Sequence, residues 1–300
     1  METVWRPTHP VDLRLTLAPL ARGRFDPTHQ PQADGSLWRT TLTPDGPATC
    51  HLTQRGPHEV SCQAWGTGAS WALESLPDLL GARDHLDGFE PRHPLLVETH
   101  RRHPGLRIPR TDRVFESLVP AILEQKVTGK QARDAFRSLV LRYGGAAPGP
   151  APGGMRVPPS PEVWRHIPSW EWHRAGVDPQ RSRTVVAASR LAGRLEEAAG
   201  LEREAATARL RAVPGIGEWT AAEVALRALG DPDALSVGDL HLPRLVGWAL
   251  VGRPLDDAAM VELLEPWRPH RARVVRLLEV SGRGIPRFGP RLTIQDHRTR

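Results

Sequence analysis

The stretch AVPGIGEWTAAEVALRALG, residues 212–230, decides the fold of this chain. Residues that favour helix stand on both sides of its glycines, so the stretch predicts a helix, a tight turn and a second helix. Gly215 and Gly217 would weaken a continuous helix, and Trp219 falls in the first turn after them. Two explanations are open. The glycines allow positive φ angles at a plain helical corner with a core tryptophan, or they expose backbone N–H groups to a phosphate at a helix N-terminus.

The composition is that of a globular protein with room for two domains. The 300 residues are 39% hydrophobic and 25% charged, which excludes a disordered chain. No apolar run approaches the roughly 20 residues of a membrane span, and the N-terminal sequence lacks the apolar core of a signal peptide. Cys50 and Cys62 are too few for a disulfide framework, a zinc site or an iron–sulfur cluster. We therefore expect a cytoplasmic protein that needs no metal.

The charge balance favours an acidic partner such as nucleic acid. The formal net charge is +6, and 38 of the 40 basic residues are arginines. The two lysines, Lys126 and Lys130, lie four residues apart in one short segment. A basic chain of this kind fits a polyanion, although an arginine-rich composition can also reflect genome base content.

Residues 1–100 are predicted to form a β-rich domain. Apolar residues alternate with polar ones in several short segments separated by Gly, Pro and Asp, which is typical of an antiparallel sheet with one solvated face. A helix is predicted to follow over 70–82. The predicted strands are VDLRLTL at 11–17, SLWRTTLT at 36–43, ATCHLTQ at 48–54 and HEVSCQAW at 58–65.

Residues 101–282 are predicted to be all helical. A helix starts near 112 with Thr111 or Asp112 as N-cap, and Thr128 and Gln131 form a capping box for the next helix. We expect a Pro/Gly-rich flexible connection at 144–160 and a basic, flexible tail at 283–300. The fold class is therefore α+β, with a small antiparallel sheet followed by a helical domain. Further helices are predicted at 181–199, 203–212, 218–229, 239–251, 256–265 and 269–281.

Asp239 stands at the start of the apolar-periodic segment LSVGDLHLPRLVGWAL. A carboxylate there is ordinarily an N-cap. Taken together, however, VPGIGEWTAAEVAL, VGDLHL and WRPHR resemble the helix–hairpin–helix DNA glycosylase superfamily, and most of all its 3-methyladenine DNA glycosylases of the alkylated-base type. The resemblance extends back through HPGLRIPRTDRVFESLVPAILEQKVTGKQAR, and the family also places a strand-rich domain first.

The resemblance implies roles for the hairpin and the aspartate. Asp239 would stabilise the oxocarbenium-like transition state formed when an N-glycosidic bond breaks. The damaged base would be flipped out of the duplex. Trp219 stands where relatives that also cut the strand carry a Schiff-base lysine, which implies a monofunctional enzyme. The hairpin residues Pro214, Gly215, Ile216 and Gly217, with Thr220, would contact DNA, and the hairpin carbonyls could hold a monovalent cation.

The resemblance also implies a base pocket formed by Trp219, Glu223 and Gln125. Trp219 could stack on a cationic methylpurine or simply pack in the core. Glu223 stands where an aromatic residue would help, and Arg276 or Glu279 where the family has another tryptophan. Glu223 could select cationic bases or bind an exocyclic amine, or it could be a solvated residue on the helix surface.

Three basic residues complete the predicted DNA contacts. Lys126 lies where the family inserts a bulky apolar side chain into the gap left by the flipped base; it could fill this gap or reach a phosphate, with Lys130 on the backbone. A solvated helix face would explain the same lysines. Arg271 matches the arginine of the family's WxPxR stretch, and its alternative is likewise a solvated arginine.

The sequence thus predicts a monofunctional DNA glycosylase of base excision repair. It would act as a monomer on double-stranded DNA that contains damaged bases, in the cytoplasm and on the nucleoid, and would leave an abasic site. Two alternatives are open: a non-catalytic DNA-binding protein on the same scaffold, and a glycosylase for another lesion such as hypoxanthine.

Overall fold

A computed structural model of the chain describes residues 1–283. All but the first residue of the predicted tail, 283–300, therefore lies outside the described residues. The N-terminal part contains a five-stranded antiparallel sheet in the order β1-β5-β4-β3-β2. The three central strands match the predicted segments, and the two edge strands were not predicted. The strands are β1 Glu2–Trp5, β2 His29–Pro31, β3 Leu37–Thr43, β4 Gly46–Gln54 and β5 Val60–Trp65.

The predicted strand at 11–17 is wrong, because helix α1 spans Leu13–Leu17. The Asp12 side chain accepts a hydrogen bond from the backbone N–H of Leu15 at 2.9 Å, which satisfies a free donor at the start of the helix. Leu13, Thr16 and Leu17 are buried on one face at helical spacing. In so short a segment, alternating leucines are compatible with a strand or a helix, and the N-cap at Asp12 favours the helix.

Helices dominate the rest of the described chain. The hairpin joins helix α11, Arg203–Arg211, to helix α12, Glu218–Val224, as predicted. Helix α12 continues into a π-helical segment, Ala225–Leu229. The helices before the hairpin are α2 Ala69–Glu74, α3 Leu76–Leu79, α4 Pro94–Arg102, α5 Val114–Leu123, α6 Gly129–Tyr143, α7 Pro161–His166, α8 Ser169–Arg174, α9 Pro179–Arg190 and α10 Ala192–Glu196. Those that form and follow it are α11 Arg203–Arg211, α12 Glu218–Val224, α13 Leu242–Val251, α14 Asp257–Leu264 and α15 Arg271–Val280.

The segment at 144–160 is held against the sheet rather than forming a free linker. Short strands β6, Gly145–Ala146, and β7, Arg156–Val157, pair with each other. The backbone N–H of Arg156 donates to the carbonyl of Pro27 at 2.8 Å, and its carbonyl accepts from the Thr40 hydroxyl at 2.5 Å. These bonds attach the connection to the N-terminal part of the chain, so the expectation of a flexible connection is corrected there.

Helix α4 packs into the hydrophobic core of the C-terminal helices. Leu96 of α4 is fully buried in a cluster with Val246 and Leu278, whereas the sheet has a core of its own around Leu37 and Leu52. The predicted boundary between residues 100 and 101 lies within α4. No helix within residues 1–283 combines the length and apolar character that crossing a lipid bilayer demands.

The N-cap of α5 differs from the prediction. Neither Thr111 nor Asp112 caps the helix; the Glu196 carboxylate instead accepts from the backbone N–H groups of Val114 at 2.9 Å and Phe115 at 3.1 Å. Local sequence could not show a partner that is 82 residues away along the chain. The predicted capping box of Thr128 and Gln131 on α6 is confirmed.

Replacing Glu196 with alanine should lower the free energy of unfolding by about 1–3 kcal/mol. The change leaves two N–H groups at the start of α5 without an acceptor. Denaturant unfolding measures the loss, with Glu218→Ala on the exposed first turn of α12 as control. An effect no larger than that of the control would show that Glu196 does not hold this helix end.

Candidate active site

The hairpin between α11 and α12 requires its first glycine. Gly215 has φ +92°, and a Cβ atom there would lie 2.3 Å from Oγ1 of Thr184 on α9. Gly217 directly precedes α12, and a Cβ atom there would meet nothing within 4 Å. Pro214, Gly215 and Gly217 are exposed, whereas the Ile216 side chain is buried. The hairpin therefore offers backbone rather than side chains to a ligand.

Gln125 fastens the hairpin to the end of α5. Its side-chain Nε2 donates to the carbonyl of Gly215 and to the hydroxyl of Thr220, both at 2.9 Å. Thr220 is only 2% exposed. The Thr220 hydroxyl is therefore buried and accepts from Gln125, and the DNA contact at Thr220 stays a prediction that this hydroxyl does not support. The side-chain NH2 of Gln125, which was predicted to lie in the base pocket, donates both of its hydrogen bonds to the hairpin and the first turn of the helix after it.

Asp239 is fixed on both of its carboxylate oxygens. Oδ1 accepts from the backbone N–H groups of His241 at 2.7 Å and Leu242 at 2.9 Å, the entry to α13. Oδ2 accepts from the indole Nε1–H of Trp219 at 3.0 Å. The helix begins at Leu242, later than the predicted 239. Asp239 thus caps the backbone N–H groups at the start of α13, which is the ordinary role of a carboxylate at this position. It also holds Trp219, the side chain predicted to stack on the base.

Glu223 lies one turn beyond Trp219 and is not a solvated surface residue. Its side chain is 14% exposed. Its Oε1 accepts from the Ser236 hydroxyl at 2.6 Å, and its Oε2 accepts from Arg227 at 2.8 Å. The loop from Ser236 to Asp239 therefore crosses the face of α12 that bears both Trp219 and Glu223.

Arg227 connects the helical part of the chain to its N-terminal part. Arg227 donates to the carbonyl of Pro19 at 2.8 Å. Burial by itself would lower the pKa of Arg227, but the carboxylates of Glu223, Glu124 and Glu279 outweigh it and raise the pKa above its usual value. Three carboxylates therefore lie near this guanidinium, and one of them, Glu223, is on the same helix as Trp219.

Two further ion pairs adjoin Arg227. Glu124 pairs with Arg22 at 3.2 Å, while Arg276 pairs with Glu279 and also donates to the carbonyl of Leu15 at 3.1 Å. The sequence did not indicate Arg22 or Glu124, because ion pairs between distant segments leave no local pattern. Glu223, Arg276 and Glu279, which stand where the resemblance implied aromatic residues, are all ion-paired.

The two lysines are exposed beside the hairpin. Lys126 lies in the loop between α5 and α6 with φ +55°, a left-handed conformation rare for a residue with a side chain. Lys130 is 67% exposed and pairs with Asp134 at 2.5 Å. We call residues 124–128, which contain Lys126, the insertion loop.

Arg271, predicted to contact DNA, forms a bidentate ion pair within the protein, and its contact with DNA stays a prediction. Its Nε and NH2 donate to the two oxygens of Asp233 at 2.9 and 2.8 Å, and Asp233 is almost completely buried. Arg203 and Arg268 pair with the same carboxylate. Arg271 therefore joins the start of α15 to the loop after α12, a role that the local sequence could not distinguish from an exposed arginine.

No group of three or more His, Cys, Asp or Glu residues within residues 1–283 is placed to hold a metal ion. The monovalent cation at the hairpin stays a prediction. Its carbonyl at Gly215 already accepts from Gln125.

Comparison with known proteins gives two curated relatives in sequence, from two strains of Mycobacterium tuberculosis, and several relatives in structure. No family model matches the chain. It is 38% identical over 254 residues to the "Probable bifunctional transcriptional activator/DNA repair enzyme AlkA" of Mycobacterium tuberculosis, an alignment that covers 80% of this chain and 49% of the relative. The chain thus spans about half the length of the curated relatives that it matches.

The structural likenesses show the fold. The 3-methyladenine DNA glycosylase of Archaeoglobus fulgidus superposes with a TM-score of 0.78 at 18% identity, over 93% of this chain and 98% of its own. The 8-oxoguanine glycosylase/lyase of Clostridium acetobutylicum superposes with a TM-score of 0.71 at 14% identity, over 93% and 95%. The predicted α+β architecture is confirmed.

Proposed function

Because the chain is a homologue of a protein named as the DNA repair enzyme AlkA and has the fold of the helix–hairpin–helix DNA glycosylases, we propose that it is a monofunctional DNA glycosylase that removes alkylated purines from double-stranded DNA. The observation that carries the proposal is the Asp239 carboxylate, which is fixed on both oxygens beside the hairpin. A chromosomal substrate would place a monomeric enzyme in the cytoplasm, on the nucleoid.

Asp239 would act on the charge that develops in the sugar. Breaking the bond between C1′ and the base gives the sugar oxocarbenium character, which a nearby carboxylate stabilises. Because three N–H donors hold the carboxylate in place, it needs little reorganisation as the charge forms. The same carboxylate can orient or deprotonate the water that attacks C1′.

The hairpin and the insertion loop would hold the DNA. The exposed backbone of Pro214, Gly215 and Gly217 lets a phosphate approach without meeting a side chain. Lys126 projects from the insertion loop on the same side, joined to the hairpin through its neighbour Gln125. We propose that Lys126 occupies the gap left by the flipped base or contacts a phosphate.

Trp219 would receive the base and make the reaction hydrolytic. Its bond to Asp239 uses the indole N–H at the ring edge, which leaves the ring face for stacking on an electron-poor base. Tryptophan has no amine to form a Schiff base, so water is the nucleophile and the DNA strand stays intact.

Replacing Glu223 with glutamine should shift base selection by about tenfold, away from cationic methylpurines and toward neutral hypoxanthine. A charge contact between partly buried groups is worth on the order of 1–4 kcal/mol. The glutamine oxygen can still accept from Arg227 while its NH2 donates to the Ser236 hydroxyl. The ratio of the two release rates measures the shift, with Glu218→Gln as control. An unchanged ratio would show that Glu223 does not take part in base selection and only forms an ion pair with Arg227.

The proposed substrate class is tested by comparing lesions. Purified protein is incubated with methylated duplex, hypoxanthine-containing duplex and undamaged duplex, and the freed bases are identified by chromatography. Release of methylpurines with an intact strand supports the proposal. Preferential release of hypoxanthine would assign another lesion, for which the ion-paired Glu223 in place of an aromatic residue would be the reason.

A further inference from the structure

A basic groove lies apart from the candidate active site. It runs between the N-terminal residues 14–37, the second half of α6 and the turn at 153–154, and it encloses about 950 Å³. Its lining includes Arg14, Arg24 and Arg137 but no aspartate or glutamate. We call it the arginine groove.

Phe25 organises two of these arginines. Its ring is 64% exposed, and the guanidinium carbons of Arg24 and Arg137 lie 5.4 and 5.3 Å from the ring centroid. Within residues 1–283, neither arginine pairs with a carboxylate, in contrast to Arg227 and Arg271 in the ion-paired regions. The two guanidiniums are thus held in place by an aromatic ring while their charge remains available to a ligand.

The groove continues the surface of the insertion loop. Lys130, Arg133 and Arg137 follow one another at i, i+3 and i+7 on one exposed face of α6, which starts directly after that loop. Arg133 also lies against Gly23, where a Cβ atom would come within 2.5 Å of its Cδ. Asp134 is the one carboxylate of α6 and pairs with Lys130.

The length of this face matches a stretch of DNA. Seven residues of helix from Lys130 to Arg137 span about 10 Å at 1.5 Å each, which is the rise of about three base pairs at 3.4 Å each. A duplex that is held at the insertion loop with its axis along this face of α6 would bring its flanking phosphates level with the arginine groove.

We infer that the arginine groove binds the phosphodiester backbone of the DNA that flanks the lesion, about three base pairs beyond the insertion loop. The inference rests on the proposed function for the position of the lesion. Arg24 and Arg137 would contact phosphates, and Phe25 would position their guanidiniums. Such contacts carry no sequence information and fix the register of the protein on the duplex.

The test compares binding to duplexes with long and short flanks. Wild type and the double variant Arg24→Gln/Arg137→Gln are titrated with a duplex that carries a central abasic-site analogue, over a series of salt concentrations. With ten base pairs on each side, the variant should lower the slope of log K against log salt by about 2, because each lost phosphate contact contributes about 0.9. When one flank is cut to two base pairs and the other keeps ten, one of the two orientations should give the same slope for both proteins, because it removes the phosphates at the groove.

The control variant Arg6→Gln/Arg55→Gln removes the same charge near the β1 edge of the sheet, away from the groove. It should leave the slope on the long duplex within 0.5 of wild type. Equal slopes for the groove variant and wild type on the long duplex would overturn the inference, as would an equal loss in the control. If wild type frees no base but the groove variant lowers the slope, only the proposed function fails.

Discussion

Replacing Asp239 with asparagine should lower the rate constant of base release by at least about a hundredfold, while the protein still binds DNA. Asparagine has nearly the same shape, and its carbonyl can still accept from His241 and Leu242 at the start of α13. It has no negative charge to stabilise the developing oxocarbenium ion. Single-turnover release from methylated duplex measures the rate, and titration with an abasic-site duplex measures affinity.

A matched variant separates charge from position. Trp219→Phe keeps an aromatic ring and the Asp239 charge but removes the indole N–H that donates to Oδ2. Its rate should fall by less than that of Asp239→Asn, because the carboxylate charge stays and at most one hydrogen bond to a charged group, worth about 1.5–3 kcal/mol, is lost. If Asp239→Asn releases base as fast as wild type, Asp239 only supports α13 and the catalytic assignment is wrong.

Replacing Asp233 with alanine should lower the free energy of unfolding by about 3–5 kcal/mol. The substitution removes the carboxylate that faces Arg203, Arg268 and Arg271. The first two are half-exposed and can turn to solvent, but Arg271 is 12% exposed and would keep only a 3.6 Å contact with the carboxylate of Glu265, which is itself exposed. It would also lose the acceptor of its backbone N–H at the start of α15.

Denaturant unfolding followed by tryptophan fluorescence measures this loss. Asp134→Ala is the control, since its pair with Lys130 is exposed on both sides and should contribute at most about 0.5 kcal/mol. A loss below about 1 kcal/mol for Asp233→Ala would show that water replaces the carboxylate at no great cost.

Local patterns predicted the elements whose stabilising contacts are local. The central strands of the sheet follow from period-two alternation, and the α6 capping box lies within four residues. Helix α1 was predicted as a strand because its alternating leucines satisfy both periods over so few residues. The cap of α5 was missed because Glu196 reaches it from another helix.

The residues of the candidate site likewise differ in whether local sequence can reveal their contacts. The glycines between two helical segments mark the hairpin, whereas Asp239 was singled out through the resemblance to the glycosylase superfamily. The sequence does not show that the Thr220 hydroxyl and the Arg271 guanidinium already bond to Gln125 and Asp233. The charged groups around Arg227 could be recognised only from the fold, which brings them together from distant parts of the chain.

The most direct test of the central claim follows wild-type protein on methylated duplex DNA in a single reaction. Free purines are collected while the fraction of bound duplex is recorded. The account predicts that methylpurines accumulate and that each leaves an abasic site in an uncut strand. Tight binding with no freed base would contradict it and would make the chain a DNA-binding protein that uses the same hairpin without catalysis.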